Sequence, residues 1–272
     1  MSRPLFTKIF IVTCSLFAIS ANAGDLLPIH AKEQPFQGLY AGLGLGGFAT
    51  QFKTNTTTTL SFPSSAFFAN SSNSSINANA NVFGNFFIGY LYPVKNFYLG
   101  PEVYLNVGNP NFSNTQTAGA FLPTETLTTY TNGNLRTYEI GIDFRLGVSA
   151  TPTTLVYALV GAAFNNMNLN SSSTISRPLL PLTTTVNAST SQSVVGLRVG
   201  AGMEQKLFPN LNLRVSYAYT SYPSKNISNT TAPDDSDPFF QLGPIANSTS
   251  SRVTNQAVWA ALVYQLDDFF KV

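Results

Sequence analysis

An all-β, eight-stranded antiparallel transmembrane β-barrel is the fold this sequence predicts, and three observations predict it. Only 10% of the 272 residues are charged, while 44% are hydrophobic and 13% aromatic, against roughly 25% charge in soluble domains. Beyond the N-terminal segment no apolar run reaches the ~20 residues of a spanning helix. Eight segments instead alternate apolar and polar residues with a period of two, the pattern of a wall with a different solvent on each face.

The N-terminal segment comes first. Residues 1–8 carry Arg3 and Lys8, 9–19 are apolar, and Ala21-Asn22-Ala23 supplies the small-x-small pattern of a cleavage site, so 1–23 reads as a cleaved signal peptide. Cys14, the single cysteine, leaves with it, and an exported chain without cysteine has no disulfide to stabilise it. Residues 24–37 read as a periplasmic tether, 38–266 as the barrel and 267–272 as a C-terminal tail. Without Arg3 and Lys8 the charges balance at 12 against 12, which gives no basic stripe for nucleic acid.

The strands fall at about 38–49, 80–92, 97–108, 135–150, 155–165, 193–207, 211–221 and 253–266, each matching the ~9–11 residues of a tilted membrane strand. Short turns at 93–96, 151–154 and 208–210 alternate with four long connections, so the chain is an up-and-down meander with short periplasmic turns and four long extracellular loops. In the sixth strand Val195, Leu197 and Val199 share one face, and Arg198, Glu204 and Lys206 the other. In the fourth, Ile140, Ile142 and Phe144 oppose Glu139, Asp143 and Arg145. Apolar residues outside and charges inside is the arrangement a bilayer imposes. Gly42, Gly44 and Gly46 then belong to a crowded inner wall. The fifth strand is apolar on both faces and leaves its sides open. Aromatics at the strand ends, Phe36, Tyr40, Tyr92, Phe97 and Tyr264 at one rim and Phe48, Phe83, Tyr138, Tyr219 and Tyr222 at the other, read either as belts at the two membrane interfaces or as the ordinary enrichment of aromatics in strands.

These features resemble the small outer-membrane β-barrel surface proteins of Gram-negative bacteria, the OmpA-transmembrane and opacity-type proteins. The resemblance rests on residues 38–44 (GLYAGLG), 99–102 (LGPE), 199–204 (VGAGME), 211–219 (LNLRVSYAY) and the closing strand from Trp259 to Leu266. It implies location in the bacterial outer membrane, contact with outer-membrane lipid and the barrel-assembly machinery, and a monomer. It also implies a barrel used as an anchor, with long loops for surface recognition or adhesion. The alternative it leaves open is a narrow porin-like channel or a conduit for small hydrophobic molecules.

Candidate chemistry is sparse. Enzymatic barrels of similar architecture use a barrel histidine as base, and the only histidine, His30, precedes the first strand; the sequence therefore reads as non-enzymatic, with no cofactor. One histidine and no mature cysteine give no zinc site, and residues 234–237 (DDSD) lack the glycine and distal glutamate of a calcium loop, so no metal is expected. The lumen charges are Glu102, Glu139, Asp143 and Glu204 against Arg145, Arg198, Lys206 and Arg214. They read either as a paired network filling the lumen or as a gate in which an arginine exchanges partners. Each long loop also holds an apolar island: Phe62, Phe67 and Phe68; Phe121; Leu179; Phe239 and Phe240. The islands form either a cap over the barrel or a surface for a host ligand or a hydrophobic small molecule.

Overall fold

The computed structural model of the chain describes residues 35–61, 68–108, 111–118, 126–177, 182–231 and 245–266. The signal segment, His30, the 234–237 cluster, the 267–272 tail, Phe62, Phe67, Phe121, Leu179, Phe239 and Phe240 lie outside these residues, as does the Phe68 side chain. The chain divides at Phe36, and the unit from Phe36 to Val272 carries every strand among the described residues.

Among the described residues the unit has eleven strands: β1 (Gly38–Ser61), β2 (Phe68–Val94), β3 (Phe97–Gly108), β4 (Asn111–Ala118), β5 (Thr126–Leu135), β6 (Tyr138–Thr151), β7 (Thr154–Arg177), β8 (Leu182–Phe208), β9 (Leu211–Ser221), β10 (Lys225–Thr231) and β11 (Ile245–Gln265). Eight of them close a ring in the order β1, β2, β3, β6, β7, β8, β9, β11, every pairing antiparallel. Closure leaves this part of the sheet without an edge, which a membrane requires. The β2–β3 turn is a two-residue hairpin in which Lys95 takes φ 55°, the left-handed conformation that twist-matched hairpin turns need.

Alternation sets the two faces. Along β6 the exposed residues are Tyr138, Ile140, Ile142, Phe144, Leu146 and Val148, and the buried ones include Glu139, Asp143 and Arg145. On β7, Leu155, Tyr157, Leu159 and Ala163 face inward while Val156, Val160 and Phe164 face out, which settles the strand whose sides the sequence leaves open. The interface aromatics divide. Tyr92, Phe97, Tyr138 and Tyr264 are exposed as an interface belt needs, but Phe36, Tyr40, Phe48, Phe83 and Tyr222 are buried inside. Position near a strand end does not decide the side; parity along the strand does.

The Asn-, Ser- and Thr-rich connections are largely strand rather than loop. The β1–β2 ladder runs unbroken from Gly38 opposite Leu91 to Ser61 opposite Phe68, and β7–β8 runs from Thr154 opposite Gln205 to Arg177 opposite Leu182. Strands that leave the bilayer need no apolar face outside, so the period-two signal fades while the backbone ladder continues.

Beyond the ring the wall splits. The β2–β3 ladder ends at Phe83 opposite Gly108 and the β8–β9 ladder at Leu197 opposite Ser221. From there β4 pairs with β5, and β10 with β11. Among the described residues no ladder joins β4 to β2 or β10 to β8. The extension is thus two four-stranded sheets, β10-β11-β1-β2 and β4-β5-β7-β8, with a seam on each side. Their inner faces share one apolar cluster, Phe52, Ile227 and Val253 from the first with Leu135, Met167 and Leu169 from the second. Thr249 Oγ1 also donates to Ser171 Oγ across the gap at 3.3 Å.

Candidate functional site

Inside the ring the side chains form two charged clusters stacked along the axis. The cluster nearer the short turns is a ring of four charges from β3, β6, β8 and β9. Arg214 reaches Glu102 at 2.6 Å and Glu204 at 3.1 Å, and Arg145 reaches the same two carboxylates at 3.4 and 3.3 Å. Two positive and two negative groups cancel, and all four are at most 5% exposed. Tyr40 donates to Glu102 at 2.8 Å and accepts from Arg145 at 3.0 Å, while Asn212 donates to Glu204 at 2.8 Å. The guanidinium of Arg145 lies 3.8 Å from the Tyr157 ring centroid and that of Arg214 lies 4.1 Å from Phe87. Buried charges are held in this way when pairing, hydrogen bonds and cation–π contacts replace the lost water.

The second cluster lies toward the extension and is looser. Arg198 contacts Glu139 at 3.5 Å and Asp143 at 3.4 Å. Glu139 accepts from Tyr104, Asn106 and Tyr222, and Arg198 stacks 3.8 Å from the Tyr104 ring centroid. Neither Asp143 oxygen accepts a hydrogen bond. With one cation against two carboxylates this cluster carries a formal −1. Lys206 joins neither cluster: it is half-exposed next to the register shift between Lys206 and Phe208 at the turn rim. The balance of four against four read from the sequence becomes three cations against four carboxylates in the buried lumen.

Glycines opposite aromatics shape this interior. Tyr40 pairs with Gly89, Tyr104 with Gly141 and Tyr157 with Gly202. In each pair a Cβ on the glycine would strike the tyrosine ring or hydroxyl. Each ring therefore lies over its glycine and carries its hydroxyl toward a polar partner. Above Glu139 is a pocket of about 330 Å³, open mouth included, whose walls include Phe48, Phe83, Asn106, Asn165 and Asn255.

The alternation of β9 already places Asn212 inside with Arg214, as the structure has it, but it does not identify Tyr40, Tyr104, Tyr157, Tyr222 and Trp259 as lumen residues. Parity would have found most of them. Tyr40 is in step with Gly42 and Gly44, and Tyr104 with Glu102. Among the described residues no cluster of His, Cys, Asp and Glu could hold a metal ion.

The sequence matches the family described as outer membrane protein beta-barrel domain over residues 11–243. No curated protein matches it. Among solved structures, Ail, the attachment invasion locus protein of Yersinia pestis, is 12% identical, with 80% of this chain and 99% of that chain covered and a TM-score of 0.30. OprG of Pseudomonas aeruginosa is 7% identical, with coverage of 84% and 97% and a TM-score of 0.41. The outer membrane protease OmpT of Escherichia coli is 12% identical, with coverage of 86% and 98% and a TM-score of 0.37.

Proposed function

The chain belongs to the outer membrane beta-barrel domain family and resides in the outer membrane, and on that premise we propose that it is a non-enzymatic surface protein. The barrel is its anchor and the two-sheet extension is its recognition element, directed to a host-surface ligand. The observation that carries the reading is the filled lumen. Arg145, Arg214, Glu102 and Glu204 close a ring of charge across it, with Tyr40, Tyr157 and Phe87 packed against the two guanidiniums. An eight-stranded barrel has room for side chains and little else, so the surface left for recognition is outside the bilayer.

Two measurements test this. A planar bilayer holding the folded chain is expected to give no resolved single-channel current; a steady current would move the function into the lumen. Separately, non-adherent bacteria displaying the chain should gain attachment to host cells. Replacing residues 57–72 by Asn-Gly, which keeps Thr56 opposite Asn73 as the last pair, should remove that attachment while leaving the heat-shifted gel band of a folded barrel. Attachment that survives this shortening and an equivalent shortening of β7–β8 would overturn the assignment to the extension.

The second reading, a narrow path for ions or small hydrophobic molecules, is favoured by one observation: the looser Arg198, Glu139 and Asp143 cluster lies below the pocket on the extension side. A path through the barrel would still have to break the four-charge ring beneath it. If such a path exists, Arg198→Ala should change the current, and an unchanged current removes Arg198 as its gate.

A further inference from the structure

Charge is segregated across the barrel wall. All four described carboxylates, Glu102, Glu139, Asp143 and Glu204, are buried in the lumen, whereas the exposed charged side chains, Lys53, Lys95, Arg136 and Arg252, are all cations. Two of these are immediate neighbours. Lys53 on β1 is directly opposite Arg252 on β11. Their chain neighbours Phe52 and Val253 are buried at 1% and 0%, so both cations project from the outer face. Like charges directly opposite one another destabilise a ladder, and among the described residues no carboxylate forms an ion pair with either. Gln51 opposite Thr254 forms the next rung on the same face, and Arg252 Nη2 donates to Ser221 Oγ at 3.2 Å. The patch has two cations, several neutral polar groups and no described acid.

Its height on the wall identifies the partner. Outward apolar residues run up β1 through Leu43 and Leu45 and up β11 through Leu262 to Val258, with Tyr217 and Tyr219 beside them on β9. Arg252 is four residues beyond Gln256, the partner of Tyr219. At ~3.3 Å per residue and a tilt of ~40° the two cations stand about 10 Å above that aromatic level. The Arg252 side chain reaches back down the wall to Ser221, opposite Thr254, so the charged ends of these long stems return toward the headgroups of the outward-facing leaflet, and an Arg and a Lys facing each other on one rung suit the oxygens of a phosphate. We propose that Lys53 and Arg252 bind the phosphate of an anionic glycolipid of the outer leaflet, whose acyl chains lie along the apolar belt below.

The test uses the full chain folded into phosphatidylcholine nanodiscs containing bisphosphorylated lipid A or its dephosphorylated counterpart, with retained lipid counted by native mass spectrometry. The phosphorylated lipid should be retained on the order of tenfold or more over the dephosphorylated one. The double variant K53Q/R252Q should lose that preference, and K53E/R252E should exclude the phosphorylated lipid, with the heat-shifted band unchanged in both. Arg136→Gln, which removes an exposed cation that hydrogen-bonds Tyr138, should have little effect. Equal retention of both lipids by the parent chain, full retention by K53Q/R252Q, or an equal loss in Arg136→Gln would each overturn the proposal. So would displacement of the lipid by millimolar inorganic phosphate, because that would make the patch a site for free anions.

Discussion

Replacing Arg214 with methionine is expected to destabilise the folded barrel by about 3–5 kcal/mol, the cost of breaking a buried ion pair by removing one partner. Arg214 is the shortest link to both Glu102 and Glu204, and methionine keeps much of its length without its charge. The two carboxylates would then share Arg145, whose contacts to them are the longer ones. Tyr40 and Asn212 would still donate to Glu102 and Glu204, so the loss should be severe but short of abolishing the fold. Urea unfolding in lipid vesicles measures it, with the emission of Trp259, the single tryptophan and 4% exposed, as the reporter. The double variant R214M/E204Q should recover a substantial part of the loss, because an uncompensated charge leaves with its partner. A single variant as stable as the parent chain would mean that the four-charge ring contributes nothing to the fold.

The second large effect is expected at Gly141. A Cβ there would meet Tyr104 at its Cζ, hydroxyl and Cε1 atoms, so Gly141→Leu must drive the ring off its seat. Overpacking of this kind costs about 1–3 kcal/mol. The displaced ring would also forfeit its hydrogen bond to Glu139 and its stacking under Arg198. Two carboxylates would then depend on an arginine that has lost its support. Reduced thermal stability, read as a lower temperature for loss of the heat-shifted band, should accompany a change in Trp259 emission, since Arg198 also lies 5.2 Å from the indole. Gly84→Ala is the control, because a Cβ there finds only an ordinary contact, 3.8 Å from Phe86. Equal behaviour of the two variants would remove steric fit as the reason for glycine at 141.

Much of the ring was legible because the bilayer writes itself into alternation. Ile140 to Val148 on β6 and Val195 to Val199 on β8 can face only lipid, and that fixes Arg145 and Arg198 inside. The partners within the lumen were harder to read, since pairing depends on register between strands distant in sequence: Arg214 and Glu102 are 112 residues apart. Tyr40 was placed at the interface and Tyr104 and Tyr157 went unassigned, because tyrosine suits an interface as well as an interior, and only the glycine across the ladder separates the two. Above the membrane the signal disappears. Residues 54–59 and 70–79 look like loop because polar residues occupy both faces, yet their backbones continue the β1–β2 ladder. Nothing in local composition marks where β3 gives way to β4 and the wall divides.

That division separates how the two halves of the exposed structure can change over time. Above Phe83 and Leu197 no ladder among the described residues joins the two four-stranded sheets, and each continues the register that its long strands carry up from the ring. The backbone of the β1–β2 tip can therefore change length without breaking a ladder of the β7–β8 tip. The chain thus carries two separately laddered walls on a single barrel, held to each other by the side chains of their inner faces and by no backbone bond among the described residues.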